Sequence, residues 1–268
     1  GGVYITNSTP LFEETLILEN IAYWGAGIYS ENAEPTISNC IFRNNEAFIE
    51  GGGLYQFGGI GTINWTSFEQ NHGYDYGGGL VGNQATIDLD HTTFSENISG
   101  MGSAITVHTS AIQIENSIIW GNNGSLLYSP NGSGMTAIDV SYSDIEGWEE
   151  AFDDNINIML TIGDGLLDLD PDFCNPSIYD FSLADGSVCW SGSENGEVIG
   201  AFDVECGNVL AMDEDIVPSG FYLAQNYPNP FNPTTRIDYS LSGTGFYTIN
   251  IFNINGQFVN KLVSEHGY

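Results

Sequence analysis

The feature that most constrains this chain is a repeat of 25 or 26 residues running through its first half. Set out at that period, glycine-led apolar residues fall into a column of Val3, Ile28, Leu54, Leu80 and Ile105, with steps of 25, 26, 26 and 25 residues. The text around them reads GAGIY at Gly25 to Tyr29, GGGLY at Gly51 to Tyr55 and GGGLV at Gly77 to Val81. A second column is Leu11, Ile37, Ile63, Leu89, Ile114 and Val140, and a third is Leu16, Phe42, Phe68, Phe94, Ile119 and Ile145. A fourth column is polar, made of Asn45, Asn71, Asn97 and Asn122.

β-Branched and aromatic residues at fixed phase, with Gly and Asn between them, describe short strands joined by tight turns, because Gly and Asn accept positive φ cheaply. No window sustains a helical period. One such segment cannot bury its own apolar face, whereas stacked copies can, each strand lying roughly 4.8 Å from its equivalent in the next coil. The expected fold is therefore all-β, a single-stranded parallel β-helix of about six coils over residues 1–150. The Asn column reads as an internal ladder of amides, with exposed turn asparagines as the alternative.

The text GGGLY at Gly51 to Tyr55 and TISNCIFRNN at Thr36 to Asn45 resembles right-handed parallel β-helix proteins of the pectin-lyase-like class, in particular bacterial surface repeats. The resemblance covers residues 1 to about 150. It implies a fold rather than one activity, since that fold carries lyases, hydrolases, adhesins and passive surface proteins.

After Trp148 the period is lost. The segments DLDPDF at Asp168 to Phe173, DFSLADGSVC at Asp180 to Cys189 and VIGAFDVECG at Val198 to Gly207 resemble the closing segment of such β-helices, so residues 151–208 are expected to cap the open end of the stack. Cys174, Cys189 and Cys206 lie there, and Cys189 with Cys206 is the favoured bridge, although spacing does not decide connectivity. Cys40 reads as a buried small hydrophobe.

Residues 209–220 have the polar, Pro- and Gly-bearing texture of a linker. Beyond it, Pro228, Pro230 and Pro233 hold an extended segment, Ile237, Tyr239 and Leu241 alternate, and Asn255-Gly256 marks a hairpin. The run Asn226, Tyr227, Pro228, Asn229, Pro230, Phe231, Asn232, Pro233, Thr234, Thr235 resembles the type A C-terminal sorting domain of the type IX secretion system. That resemblance implies an immunoglobulin-like sandwich read by the export machinery, which would place the protein outside a Gram-negative cell, released or attached to its surface. Family members continue with further strands, so residues 221–268 read as a partial module, and the chain as a piece of a longer protein.

Charge narrows the partners. Three Lys and Arg face 35 Asp and Glu, a net charge of −32, and residues 1–212 carry 30 of the acids against Arg43 alone. Nucleic acid is excluded, because a field of that sign repels phosphate, as it does anionic membranes. Apolar residues at 41% still suffice for a core, and no apolar run is long enough to span a bilayer. Self-repulsion at this charge favours a monomer.

Residues flanking an inward strand position point outward, which places Asp88, Asp90, Glu115 and Asp139 on one wall. A divalent cation such as Ca²⁺ against those four carboxylates is one reading and a solvated acidic wall the other; no cofactor is otherwise required. Asp75, Asp88, Asp90 and Asp139 are the candidate carboxylates for glycoside hydrolysis, and Tyr74, Tyr76 and Trp120 the candidates for stacking on sugars. Asp164, Asp168, Asp170 and Asp172 lack the spacing of a calcium loop. His72, His91, His108 and His266 form no metal motif. Arg43, the base a uronate lyase would need, aligns with Glu69 one coil on and reads as an ion pair. The expectation is a secreted or surface-attached β-helix acting as an adhesin, glycan-binding or matrix protein. The alternative is a glycoside hydrolase or polysaccharide lyase, distinguished by a groove holding paired carboxylates.

Overall fold

A computed structural model of the chain describes residues 1–130, 134–151, 158–193, 195–202 and 206, with strand residues 222–223, 239–240, 245–252 and 258–267. The chain divides into two compact units, Gly1–Leu210 and Ala211–Tyr268.

In the first unit each repeat folds into short strands that pair in parallel with the same strands of the next coil, giving three rows. The first row holds Val3–Thr6, Ile28–Ala33, the start of Leu54–Glu69, Leu80–Asn83, Ile105–His108 and Leu127–Tyr128. The second holds Leu11–Glu13, Thr36–Ser38, the middle of Leu54–Glu69, Thr86–Ser95, Ala111–Glu115, Thr136–Ser141 and Ile158–Ile162. It bends at a corner into a further run that includes Ile41–Arg43 and Ile118–Trp120. The third row is Ile21–Trp24, Glu46–Glu50, His72–Tyr76 and Ile98–Met101.

The columns meet inside. Val3, Ile28, Leu54, Leu80 and Ile105 pair in series. Phe42, Phe68 and Phe94 are fully buried and stack at 4.6 Å between ring centroids. The first coil departs from expectation. Phe12, not Leu11, pairs with Ile37, and Ile17, not Leu16, pairs with Phe42. That coil is one residue shorter at these positions, so Leu11 and Leu16 turn outward and are 63% and 52% exposed. A one-residue slip exchanges the two faces of a strand.

Gly53 shows what the glycine runs do. A Cβ there would lie 2.5 Å from the Gly79 carbonyl oxygen and 2.8 Å from the Phe68 ring, so only hydrogen fits between backbone and core. The Asn column is the internal ladder. Asn45 Nδ2 donates to Asn71 Oδ1 at 2.9 Å and Asn71 Nδ2 to Asn97 Oδ1 at 3.0 Å, while each second amide hydrogen reaches a backbone carbonyl, Ile17 from Asn45 and Phe42 from Asn71. Asn20 begins the ladder and Asn122 ends it. With Asn45, Asn71 and Asn97 fully buried, the exposed-turn alternative is set aside.

Coil stacking continues past residue 150, because Ile158–Ile162 pairs with Thr136 to Val140 and Leu167 bridges to Asp144. Of the residues that follow, 173–193 and 195–202 lie along the outside of the second row, where Gly200 N–H donates to the Asn116 carbonyl and Ala201 N–H to Thr93 Oγ1. The reason lies in the row itself, whose outer side carries Ile118, Trp65 and Trp120; these pack with Leu183, Cys189, Val198 and Ile199 in a second core.

The disulfide joins Cys174 to Cys206, not Cys189 to Cys206. Cys189 is free and buried in the second core, with its thiol directed at Asp144. Cys40 is free and buried, as expected.

In the second unit Tyr222–Leu223 pairs antiparallel with Tyr239–Ser240, and Gly245–Phe252 with Phe258–Gly267. The latter pair flanks Asn255-Gly256, which, like the linker 209–220 and the motif Asn226 to Thr235, lies outside the described residues.

Candidate functional site

The third row packs through small residues. Ala22, Ala47 and Gly73 share one register, and Ala47 is fully buried. The register then shifts between Ala22 and Trp24 and between Gly73 and Tyr76, and such a bulge re-aims the side chains beyond it. Tyr23, Phe48 and Tyr74 project outward here, 65%, 47% and 50% exposed. Their rings form a column across successive coils, with centroids 5.7 Å apart from Tyr23 to Phe48 and 6.0 Å from Phe48 to Tyr74. His72 stacks on Tyr74 at 4.4 Å, Trp24 stands beside Tyr23, and Ile21, Ile98 and Met101 are exposed on the same row.

Contiguous apolar surface in water marks a binding face. Here it is bordered by oxygen acceptors, since the Tyr74 hydroxyl donates to Glu46 Oε1 at 3.2 Å and Asp75 is exposed next to it. Ring faces that meet C–H bonds, with carboxylates at their edges to accept hydroxyl hydrogens, suit a pyranose chain. A second aromatic column, Tyr4, Tyr29 and Tyr55 in the first row, stacks at 5.6 and 5.2 Å and passes from exposed to buried.

Of the other sugar-stacking candidates, Tyr76 is partly buried, stacked on Tyr128 at 5.7 Å and edge-on to His108. Trp120 is also partly buried and lines a separate cleft of about 340 Å³ with Glu96, Asp170, Asp172 and Phe173. Tyr74 therefore belongs to the exposed column, and Tyr76 and Trp120 do not. Sequence reasoning missed Tyr23, Phe48 and Trp24; the recurrence of an aromatic 25 or 26 residues apart was the available signal.

The acidic wall is real but does not converge. Asp88 and Asp139 belong to one column with Gln113 between them, so they stand about 10 Å apart at two coil steps. Asp90 and Glu115 are direct neighbours. Asp90 Oδ1 already accepts from Asn116 Nδ2 and faces His91 Nδ1, both at 2.8 Å. Burial, then the charge on Asp90, holds the Asp88 carboxyl above the usual range. Among the described residues no three His, Cys, Asp or Glu side chains gather closely enough to hold a metal ion. Asp75 lies on the aromatic row, away from Asp88, Asp90 and Asp139, and raises the carboxyl of Glu50, which burial has already pushed up.

Arg43 is buried, its Nε donating to Glu69 Oε2 at 2.6 Å and its guanidinium lying over the Tyr179 ring. Burial pushes the Glu69 carboxyl up, while the Arg43 charge and the Ser67 hydroxyl draw it down. Held in that way, Arg43 cannot reach a substrate as a base. No lyase step can be assigned to it.

A family model described as a right handed beta helix region matches residues 1–141, more than half of the chain. No curated protein and no solved structure matches.

Proposed function

The chain belongs to the right-handed β-helix family, and from that premise we propose that it binds a neutral polysaccharide at the cell exterior without cleaving it, as an adhesin or matrix protein. The observation that carries this reading is the exposed ring column of Tyr23, Phe48 and Tyr74. One ring per coil presents a ladder parallel to the stacking axis, along which an extended glycan can lie. The net charge of −32, with Arg43 buried, argues against uronic-acid polymers, whose carboxylates the surface repels.

Export by the type IX route is part of the proposal, resting on the resemblance of Asn226 to Thr235, and the same resemblance implies an immunoglobulin-like fold for residues 221–268. The Cys174–Cys206 disulfide fits an oxidising exterior. Among the described residues no helix is long and apolar enough to cross a membrane. The protein acts as a monomer in this reading and needs no cofactor.

Affinity electrophoresis through gels containing neutral or uronic polysaccharides tests the proposal. Neutral glycans should retard the protein, and Phe48→Ala with Tyr74→Ala should abolish the retardation. Retardation by no glycan overturns the reading, and retardation that survives both substitutions overturns the site.

A second reading, a polysaccharide-degrading enzyme, is favoured by the cleft that brings Glu96, Asp170 and Asp172 beside Trp120. Release of reducing ends from the same polysaccharides, lost in Glu96→Gln, would establish it in place of the first.

A further inference from the structure

Ser95 ends the strand Thr86–Ser95, Trp120 ends Ile118–Trp120, and the two residues pair in register on adjacent coils. Beyond them the chain turns through Glu96 and Gly121, both left-handed with φ +55 and +70. Residues from the stretch after the repeats, Asp170, Asp172, Phe173 and Pro176, supply the rest of the lining of the cleft of about 340 Å³. Ser95 is 2% exposed, yet among the described residues its hydroxyl has no hydrogen-bond partner. A Cβ at Gly121 would lie 3.6 Å from that oxygen and meet nothing else within 4 Å, so the missing side chain leaves room over the hydroxyl. A buried hydroxyl left unpaired costs free energy that a ligand's polar group in the cleft would offset.

The other polar groups are carboxylates. Glu96 Oε2 accepts from Gln70 Nε2 at 2.6 Å, which positions the group, and Asp170 Oδ1 accepts from the Asp172 N–H at 3.0 Å. No lining side chain carries positive charge. Arg43, the only Lys or Arg in residues 1–212, is buried against Glu69. Three carboxylates and a hydroxyl oxygen suit an ammonium group, which has three donors and no acceptor. Trp120 adds the attraction of a ring face for a cation, and Phe173 and Pro176 offer apolar surface to an alkyl stem. A hydrated metal ion would use neither.

We propose that this cleft binds an alkylammonium group, carried by a free diamine or by the lysine side chain of a protein partner. The net charge of −32 draws such a cation to the surface, and the cleft then selects it by shape and by its three donors. The assignment is independent of the ring column on the third row, and it gives the cleft a role other than hydrolysis.

The full chain is titrated by calorimetry with the diamine cadaverine and, separately, with acetyl-lysine amide whose side-chain amine is free, both at physiological ionic strength. One equivalent of at least one of them should bind saturably. Glu96→Gln removes a charged acceptor but can still accept from Gln70, and it should weaken binding by about tenfold or more. Ser95→Ala should weaken it as well. Glu13→Gln, the same loss of charge at an exposed position of the first coil, should leave binding unchanged. Tighter binding of cadaverine assigns the cleft to free amines, and tighter binding of the lysine derivative assigns it to a protein partner. Absence of saturable binding by either at millimolar concentration would overturn the proposal. So would equal weakening by Glu13→Gln and Glu96→Gln, which would reduce the binding to unspecific charge attraction.

Discussion

The Cys189 thiol donates to Asp144 Oδ2 at 3.2 Å, joining the outer segment to the last full coil through a carboxylate with no exposed surface. Burial holds the Asp144 carboxyl at about 6, with Asp168 and Asp170 adding to the effect and the Leu169 N–H opposing it. The folded chain therefore keeps this proton more tightly than the unfolded chain, where the group titrates near 3.9. The resulting stabilisation is full below about pH 4 and is lost as pH rises towards 6, a change of about 3 kcal/mol. Asp144→Asn should flatten the pH dependence of urea unfolding across that window and raise stability at neutral pH. An unchanged slope would contradict the burial of this charge.

Arg43 and Glu69 make a second test. Glu69 is fully buried, so Arg43→Ala leaves an uncompensated carboxylate and should cost about 3–5 kcal/mol in urea unfolding. Replacing both, with Arg43→Met and Glu69→Leu, removes the charge and its desolvation together and should cost far less than the single change.

Much of this architecture is legible in the amino-acid sequence. The stack of Phe42, Phe68 and Phe94 follows from their spacing, since an inward position at a fixed coil length must recur in register. Leu11 and Leu16 mislead because the first coil is one residue short and its apolar residues sit side by side, so either register satisfies the pattern. Tyr74 reads as a surface aromatic, but Tyr23 and Phe48 do not, because bulges in the third row break the alternation that tells inward from outward. The Cys174–Cys206 bond and the cleft at Trp120 involve the stretch after the repeats, where no period relates one position to another.

The Asn ladder gives a graded prediction. Asn71→Ala removes the acceptor of both the Asn45 backbone N–H and Asn45 Nδ2, as well as the donor to the Phe42 carbonyl. Leaving these buried groups unpaired should cost roughly 2–5 kcal/mol. Asn122→Ala, at the part-buried end, should cost less than half as much. Equal losses in urea unfolding would mean that the amides do not act as a connected ladder.

Calcium is expected to do little. Gln113 separates Asp88 from Asp139, and Asp90 is already engaged by Asn116 and His91. Millimolar Ca²⁺ should shift the melting temperature no more than Mg²⁺ at equal ionic strength, as screening alone requires. A larger shift for Ca²⁺, lost in Asp90→Asn, would establish a bound ion on the wall.

The Cys174–Cys206 bond closes a loop of 32 residues in separation that contains Cys189 and Ile199, the inner face of the outer segment. Cross-linking a loop of that length restricts the unfolded chain, and reduction should lower stability by about 3–4 kcal/mol. The loss should be confined to oxidised protein, so Cys174→Ser should melt alike with and without reductant. Cys189→Ser should keep the full effect, because its thiol lies in the second core and takes no part in the bridge. A non-reducing peptide map that links Cys189 to Cys206 would reverse this assignment, and would also require the outer segment to leave the hydrophobic side of the second row, exposing Ile118 and Ile199 to water.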